Sequence, residues 1–313
     1  MDPQDVADAF GLGRASSLSD VVARGELGEI RRLETERGTW AVKQELEPWD
    51  DPSDSERAGA FHLACWQAGI PSPRPIPAAE GQFTAEVAGE QVRVYAWVDL
   101  EDPDTDLDPA DVGRLLARLH AVPGPVTGTI DEWFEAPIGA REWKGVLKAS
   151  RAAGAPYADR LAELVPSLIE VESILTPMRG VRTCHLDLWS DNLRRTAGGD
   201  LCVIDFDNCG PADPGRELGM LLFEFGRGQG ARWRALDEAY REAGGPGRIT
   251  GRESLALTVA QLHHIGHRHL TMWLSARDAV ARARSSAGVE EFLGEPFLLS
   301  DVDRLLDATT STP

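Results

Sequence analysis

At 313 residues with 42% hydrophobic side chains, the chain is long enough for one or two lobes and a sizeable core, which excludes a disordered protein. Its formal charge of −19 repels polyanions, so nucleic acid and anionic membrane make poor partners; cationic small molecules would be drawn in, although a uniformly solvated acidic surface accounts for the charge as well. No apolar run approaches the roughly 20 residues that span a bilayer, the opening MDPQDVADAF is acidic, unlike a secretory leader, and the four cysteines contain no CxxC pair, so a cytoplasmic protein with reduced thiols is expected.

In chain order, residues 18–46 and 81–98 read as strand-rich. Runs at 30–35 and 39–43 flank Glu36-Arg37-Gly38, which suits a hairpin turn, and 91–98 is a further strand. Between them Ser53-Asp54-Ser55-Glu56 resembles a capping box, followed by Phe61, Ala64, Cys65 and Ala68 on one helical face and a stop at Gly69. An acidic, proline-containing linker covers 99–109. Beyond it Asp108 can cap a helix with Pro109 in its first turn and Val112, Leu115, Leu116 and Leu119 as its buried stripe. Further helical patterns cover 156–176, 215–227, 231–243 and 252–284, interrupted by a strand hairpin near 193–206 that turns at Gly198-Gly199-Asp200. The expected architecture is α+β: a small β-rich lobe over 1–98, the linker over 99–109, and a larger, mainly helical lobe over 110–313.

The chemistry-bearing segment is Cys184-His185-Leu186-Asp187-Leu188-Trp189-Ser190-Asp191-Asn192, followed by Val203-Ile204-Asp205-Phe206-Asp207. Phosphoryl transfer asks little covalent work of a protein. It needs a carboxylate to orient the attacking hydroxyl and oxygen ligands for magnesium beside a triphosphate. Asp187 fits the first role. Asn192 and Asp205 fit the second, Asp205 standing at the end of the apolar run 201–204. An H-x-D-x4-N run followed by such a strand is far more specific than any one of its parts.

This segment resembles the catalytic loop and metal-binding aspartate of the aminoglycoside phosphotransferase and choline kinase group, within the protein-kinase-like fold. The resemblance spans about residues 18–230 and implies a bilobal kinase using ATP, or GTP, and Mg2+. Asp187 would be the catalytic base, His185 a brace for its loop, and Asn192 and Asp205 the magnesium ligands. Asp205-Phe206-Asp207 stands where protein kinases carry Asp-Phe-Gly, and no Ala-Pro-Glu segment follows, so a protein kinase proper is not implied. Lys43, closing the strand after Trp40-Ala41-Val42, matches the lysine that grips the triphosphate. Its ion-pair partner would come from the following helix, where Glu56 is the candidate, with helix capping as its rival role. Backbone groups of Ala96 and Val98 would meet the purine, with Tyr95 behind it. The phosphate-covering loop falls at Gly25-Glu26-Leu27-Gly28-Glu29, an acidic departure from the usual glycine- and serine-rich pattern.

For the acceptor, Asp191, Asp207, Asp213, Glu217 and Glu224 lie near the catalytic loop in sequence and, with the overall charge, point to a hydroxylated amine. Trp189 is a candidate for stacking on it. Asp213 opens Asp213-Pro214-Gly215-Arg216-Glu217-Leu218, which resembles an acidic segment of the small-molecule kinases and equally suits a helix cap. His263 and His267 have a metal-compatible spacing, but packing beside a core helix is the commoner role of such histidines. A catalytically silent, nucleotide-binding relative is the competing reading.

Overall fold

The computed structural model describes residues 1–25, 28–46, 51–126 and 129–310. Its contacts group into two units: Met1–Thr105 with Ala121–Val126 and Asp187–Gly210, and Asp106–His120 with Thr127–Leu186 and Pro211–Pro313.

The first unit begins with a helix not anticipated above, α1 (Pro3–Ala9), capped by Asp2 with proline in its first turn. Strands β1 (Ala15–Arg24), β2 (Gly28–Thr35) and β3 (Gly38–Glu45) follow, then α2 (Pro52–Gln67) and strands β4 (Pro75–Ile76), β5 (Ala85–Val87) and β6 (Glu90–Ala96). They form one antiparallel sheet in the order β1-β2-β3-β6-β4, with β5 paired to β6. Its hairpin turns at Glu36 and Arg37, as expected. Strand alternation puts Leu33, Val42, Val92 and Val94 on one face, where they join Val6, Ala7 and Phe10 in a core. The same alternation sends Lys43, Glu45, Arg93 and Tyr95 to the opposite face. In register, Lys43 pairs across with Arg93.

Helix α2 is capped by Asp51, whose side chain accepts from the Ser53 amide at 2.8 Å, with Pro52 behind it. The capping box read at Ser53 is therefore displaced by two residues, because an aspartate followed by proline is the stronger start signal. The helix ends as read: Gly69 takes a left-handed φ of 80°, and the Ile70 amide reaches back to the Cys65 carbonyl at 2.9 Å.

The second unit is helical. Helix α3 (Pro109–Ala121) is capped by Asp108, and α4 (Glu132–Glu135), α5 (Gly139–Ala152) and α6 (Ala158–Val171) lead to a short strand β7 (Arg182–Cys184). The chain then contributes the hairpin of β8 (Leu193–Arg195) and β9 (Leu201–Val203) to the first unit. There Gly199 adopts φ 89° and the Thr196 amide bonds the Asp200 carbonyl. Helices α7 (Pro214–Gly226), α8 (Gly230–Glu242), α9 (Ala256–Ser275), α10 (Ala279–Gly294) and α11 (Leu299–Thr310) complete the second unit. Residues 252–284, read above as one helix, are a 3-10 turn, α9 and the start of α10. The break comes at Asp278, which takes an extended φ of −142° and caps the next helix through the Ala281 amide. Around α9 the core gathers Trp143, Leu161, Leu164, Leu168, Leu270 and Trp273. Gly219 lets α7 lie so close to Ser254 that a Cβ there would overlap its carbonyl.

Candidate active site

The sheet face opposite the α1 core carries the charges. Lys43 Nζ lies 2.6 Å from Asp207 Oδ2 and 2.9 Å from Asp205 Oδ1. Arg93, its cross-strand neighbour, also meets Asp207 Oδ2 at 2.5 Å and binds Glu45 through Nε and Nη2. Burial opposes the charge on Lys43, yet Asp207 and then Asp205 hold its ammonium protonated well above the ordinary lysine range. Burial likewise pushes the Asp207 carboxyl up, but Lys43 and Arg93 outweigh it and keep that group ionised far into acid. The two aspartates differ in access: the Asp205 side chain is 39% exposed and that of Asp207 8%, so Asp205 is the one placed to reach a ligand. Asp205 sits at φ 56°, a left-handed conformation that aspartate tolerates and that turns the chain out of the β9 strand.

Asp187 belongs to the same unit. The Asn192 side-chain nitrogen donates to its carbonyl and to its Oδ2, both at 2.9 Å, and Asn208 donates to Oδ2 at 3.1 Å. With both amides on one oxygen, Oδ1 is left disposed to take a proton. Burial, then the charge of Asp205, pushes the Asp187 carboxyl up to about 7. Because Asn192 spends its nitrogen on Asp187, its Oδ1 is the atom it can offer a cation. Asn192 and Asp205 thus present hard oxygens, a donor set that fits Mg2+.

Residues in the second unit shape the chain just before Asp187. Leu186 has φ 66°, strained for a bulky residue. Its amide donates to Glu217 Oε1 at 2.5 Å, and its carbonyl accepts from Gln261 Nε2 at 2.6 Å. Glu217 Oε2 lies 2.6 Å from His120 Nε2, and His120 Nδ1 lies 2.8 Å from the Tyr240 hydroxyl. The ionised Glu217 carboxylate only accepts, so Nε2 carries a proton; the Tyr240 hydroxyl accepts from the Gly247 amide and retains its own proton to offer Nδ1. His120, Cys184 and Glu217 bring metal-ligand atoms within 4.8 Å of one another. Hydrogen bonds already account for the histidine and the carboxylate, and no metal is needed there.

Several residues singled out from the sequence stand elsewhere than expected. Glu56 does not pair with Lys43: its carboxylate accepts from the Phe83 amide at 3.0 and 2.9 Å and from Thr84 at 3.1 Å. Asp207 and Glu217, read as facing the acceptor, are buried in the networks just described. Asp213, by contrast, takes the helix-capping role expected of it as one of two, accepting from the Gly215 amide at the start of α7 at 2.8 Å. The Ala96 amide is committed to the Arg74 carbonyl and ends β6; Tyr95 lies beside His62, with ring centroids 5.5 Å apart, and Val98 follows half-buried. His185 is fully buried, Trp189 half-buried with its carbonyl accepting the Asn192 and Leu193 amides, and Asp191 exposed. His263 bonds Glu172 at 3.0 Å and meets Trp143 edge-on, which is the packing role. Within the 25–29 loop, Glu26 and Leu27 lie outside the described residues, and the Gly25 amide bonds the Gly28 carbonyl. Arg93, Glu45 and Asn208 were not anticipated. An arginine inside the apolar run Val92-Arg93-Val94-Tyr95, on the same strand face as Tyr95, was the available signal.

A β-sheet unit that brings a strand lysine together with Asp187 and Asn192 of the H-x-D-x4-N loop and with the aspartate after β9, beside a mainly helical second unit, is the arrangement of a protein-kinase-like small-molecule kinase. The family model of the phosphotransferase enzyme family (APH) matches residues 21–257, and the chain belongs to that family. It is a phosphotransferase of the kind that acts on hydroxyl groups. A protein of Deinococcus radiodurans described as uncharacterized is 26% identical over 258 residues, covering 76% of this chain and 72% of its own. The spectinomycin phosphotransferase APH(9)-Ia, solved with ADP and spectinomycin, shares the fold at TM-score 0.68 and 12% identity, over 97% of this chain and 98% of that one. The amicoumacin kinase hAmiN, solved with AMP-PNP, Ca2+ and Ami, does so at TM-score 0.58 and 16% identity, over 97% of each chain.

Proposed function

We propose that the protein is a cytoplasmic kinase that moves the γ-phosphoryl of ATP, or GTP, to a hydroxyl of a small cationic acceptor such as an aminoglycoside, amino sugar or amino alcohol. The observation that carries this reading is the convergence of Asp187, Asn192, Asp205 and Lys43 within one unit, linked by hydrogen bonds and charge. Asp187 Oδ1 accepts the proton of the attacking hydroxyl as the new P–O bond forms and the bond to the diphosphate breaks. Lys43 offsets negative charge on the triphosphate. Asn192 and Asp205 would hold Mg2+, which supplies charge neutralisation at the phosphates and removes the repulsion that Asp205 exerts on Asp187. The −19 charge favours encounter with amines, and the neighbours solved with spectinomycin and with Ami agree with small-molecule acceptors. Among the described residues no helix is long and apolar enough to cross a membrane.

The test is a panel of aminoglycosides, amino sugars, amino alcohols and neutral or anionic alcohols, assayed with MgATP and MgGTP for acceptor-dependent nucleoside diphosphate release. Turnover on amine-bearing alcohols is expected. Turnover confined to neutral or anionic ones would overturn the acceptor class, and nucleotide binding without turnover on any acceptor would favour a silent binding protein.

A further inference from the structure

Lysines that meet phosphate need an anchor, since an ammonium on a four-carbon stem has many rotamers and a fixed carboxylate selects one. On sequence grounds that anchor belongs on α2, at Glu56. The structure spends Glu56 on the Phe83 and Thr84 amides. Three residues further along, the Phe83 ring packs so closely on Gly59 that a Cβ at that glycine would overlap it. This part of α2 is a clasp for the loop before β5.

Asp207 has the properties the anchor requires. It lies 2.6 Å from Lys43 Nζ, its side chain is 8% exposed, and Arg93 holds the same oxygen. Arg93 and Glu45 are each 3% exposed at the side chain and paired to each other at 2.5 Å, so the carboxylate of Asp207 rests on a buried support. Strand register builds this arrangement. Arg93 stands opposite Lys43, and Glu45 lies two residues beyond Lys43 on the same face. Helix α2 still touches the metal loop, but through rings. His62 stacks on Phe206, with centroids 4.0 Å apart and planes 9° from parallel, and Phe61 meets it edge-on at 6.3 Å.

We propose that Asp207 is the positioning residue for Lys43, taking the place of a helix-borne carboxylate, with Arg93 and Glu45 holding it in turn. The inference rests on the functional reading above, in which Lys43 meets the triphosphate and Asp205 a divalent cation. On ligand arrival Asp205 exchanges its lysine for the cation, while Asp207 keeps the ammonium directed at the phosphates. α2 then influences the site by seating Phe206, not by an ion pair.

Calorimetric titration separates the role from mere structure, because Lys43 senses phosphate and not base. Adenosine and ADP, or guanosine and GDP where the wild type prefers guanine, are titrated with magnesium into wild type, Asp207→Asn, Lys43→Met, the double variant and Glu56→Gln. Asp207→Asn is expected to weaken diphosphate binding about tenfold while nucleoside affinity stays within about twofold. On the Lys43→Met background the same substitution adds nothing, the non-additivity of two groups acting as one. Glu56→Gln lowers the Tm but changes the diphosphate-to-nucleoside affinity ratio by less than about twofold. If Asp207→Asn fails to fold, Asp207→Glu, which keeps the charge one methylene further out, shows an intermediate loss of diphosphate affinity at unchanged nucleoside affinity. Wild-type diphosphate affinity in Asp207→Asn or Asp207→Glu would overturn the inference alone. So would an equal loss in the Lys43→Met background, or the same loss in Glu56→Gln. A wild type that binds the diphosphate no tighter than the nucleoside would overturn the functional reading and this inference together.

Discussion

Asp207 in the first unit and Glu217 in the second are both buried carboxylates with their charge kept, but by opposite means. Asp207 faces two full cations, Lys43 and Arg93. Glu217 faces a backbone amide and a histidine whose far nitrogen is tied to a tyrosine hydroxyl. Burial pushes each carboxyl up, and each ends below its ordinary range, by ion pairs in the first case and by the His120 hydrogen bond and its companions in the second. The difference follows from what each holds. A network of formal charges can exchange partners when a charged ligand arrives, which is what the proposed triphosphate site would need. A chain of directed hydrogen bonds fixes one backbone geometry, here the left-handed turn at Leu186 that leads into Asp187.

The largest effect expected is on chemistry. Asp187→Asn should lower kcat by about 10³-fold, within the range that general bases contribute, while MgATP affinity stays within a few fold. Steady-state kinetics on an active acceptor, with calorimetry on the nucleotide, check both halves. Near-normal turnover would leave Oδ1 of Asp187 without a role. The first unit's charges should then reveal themselves in stability. Arg93→Met strands Glu45 and halves the cation pairing of Asp207, so it should cost about 3–5 kcal/mol in urea unfolding, whereas Arg93→Met with Glu45→Leu should recover much of that loss. Equal costs for the single and double variants would mean that the ion pair does not act as a unit.

What could be read in advance follows the distance over which each residue acts. His185, Asp187, Asn192 and Asp205 announce themselves because their chemistry is compressed into 21 residues of fixed spacing. The strands around Lys43 were legible from alternation and turn residues. Partner choice was not. Which carboxylate meets Lys43 depends on a strand about 50 residues away and a loop more than 160 residues away, and Glu56, the locally sensible partner, is captured by Phe83 and Thr84. Glu217 misled for a related reason: acidity in sequence does not show that a side chain is wholly buried against His120. Arg93 carries a usable signal, a charge in an apolar strand, but its partners lie too far along the chain to be named from it.

Glu217 offers the next test of the comparison. In Glu217→Gln the amide oxygen can still accept from Leu186, but its nitrogen then faces His120 Nε2. The histidine must move its proton to Nδ1, where it meets the Tyr240 hydroxyl already accepting from Gly247. One hydrogen is left without an acceptor, at about 1–3 kcal/mol. The sign with pH is fixed by the lowered carboxyl of the folded state. Its contribution is complete above the unfolded value near 4.5 and is lost as pH falls through the folded value. Wild type should therefore lose stability faster than Glu217→Gln below about pH 4.5, and parallel acid profiles would show that the brace does not depend on ionised Glu217.

The smallest effect calibrates the others. Asp278 accepts one backbone hydrogen bond, from Ala281 at 2.8 Å, at the break where α9 gives way to α10. In donor and acceptor type this bond matches the one from Leu186 to Glu217, but Asp278 is exposed and Glu217 is not. Water can replace Asp278 for the Ala281 amide, so Asp278→Ala should cost only about 1 kcal/mol, with little change in turnover. If the cost matched that of Glu217→Gln, burial would not be what distinguishes the two. A cost near zero would show that the chain turns at 276–278 for another reason, the packing of Trp273 under Arg282, whose guanidinium lies 4.8 Å from the indole centroid. Arg282→Ala would then move the break where Asp278→Ala did not, and amide exchange across 274–282 reads which residue sets it.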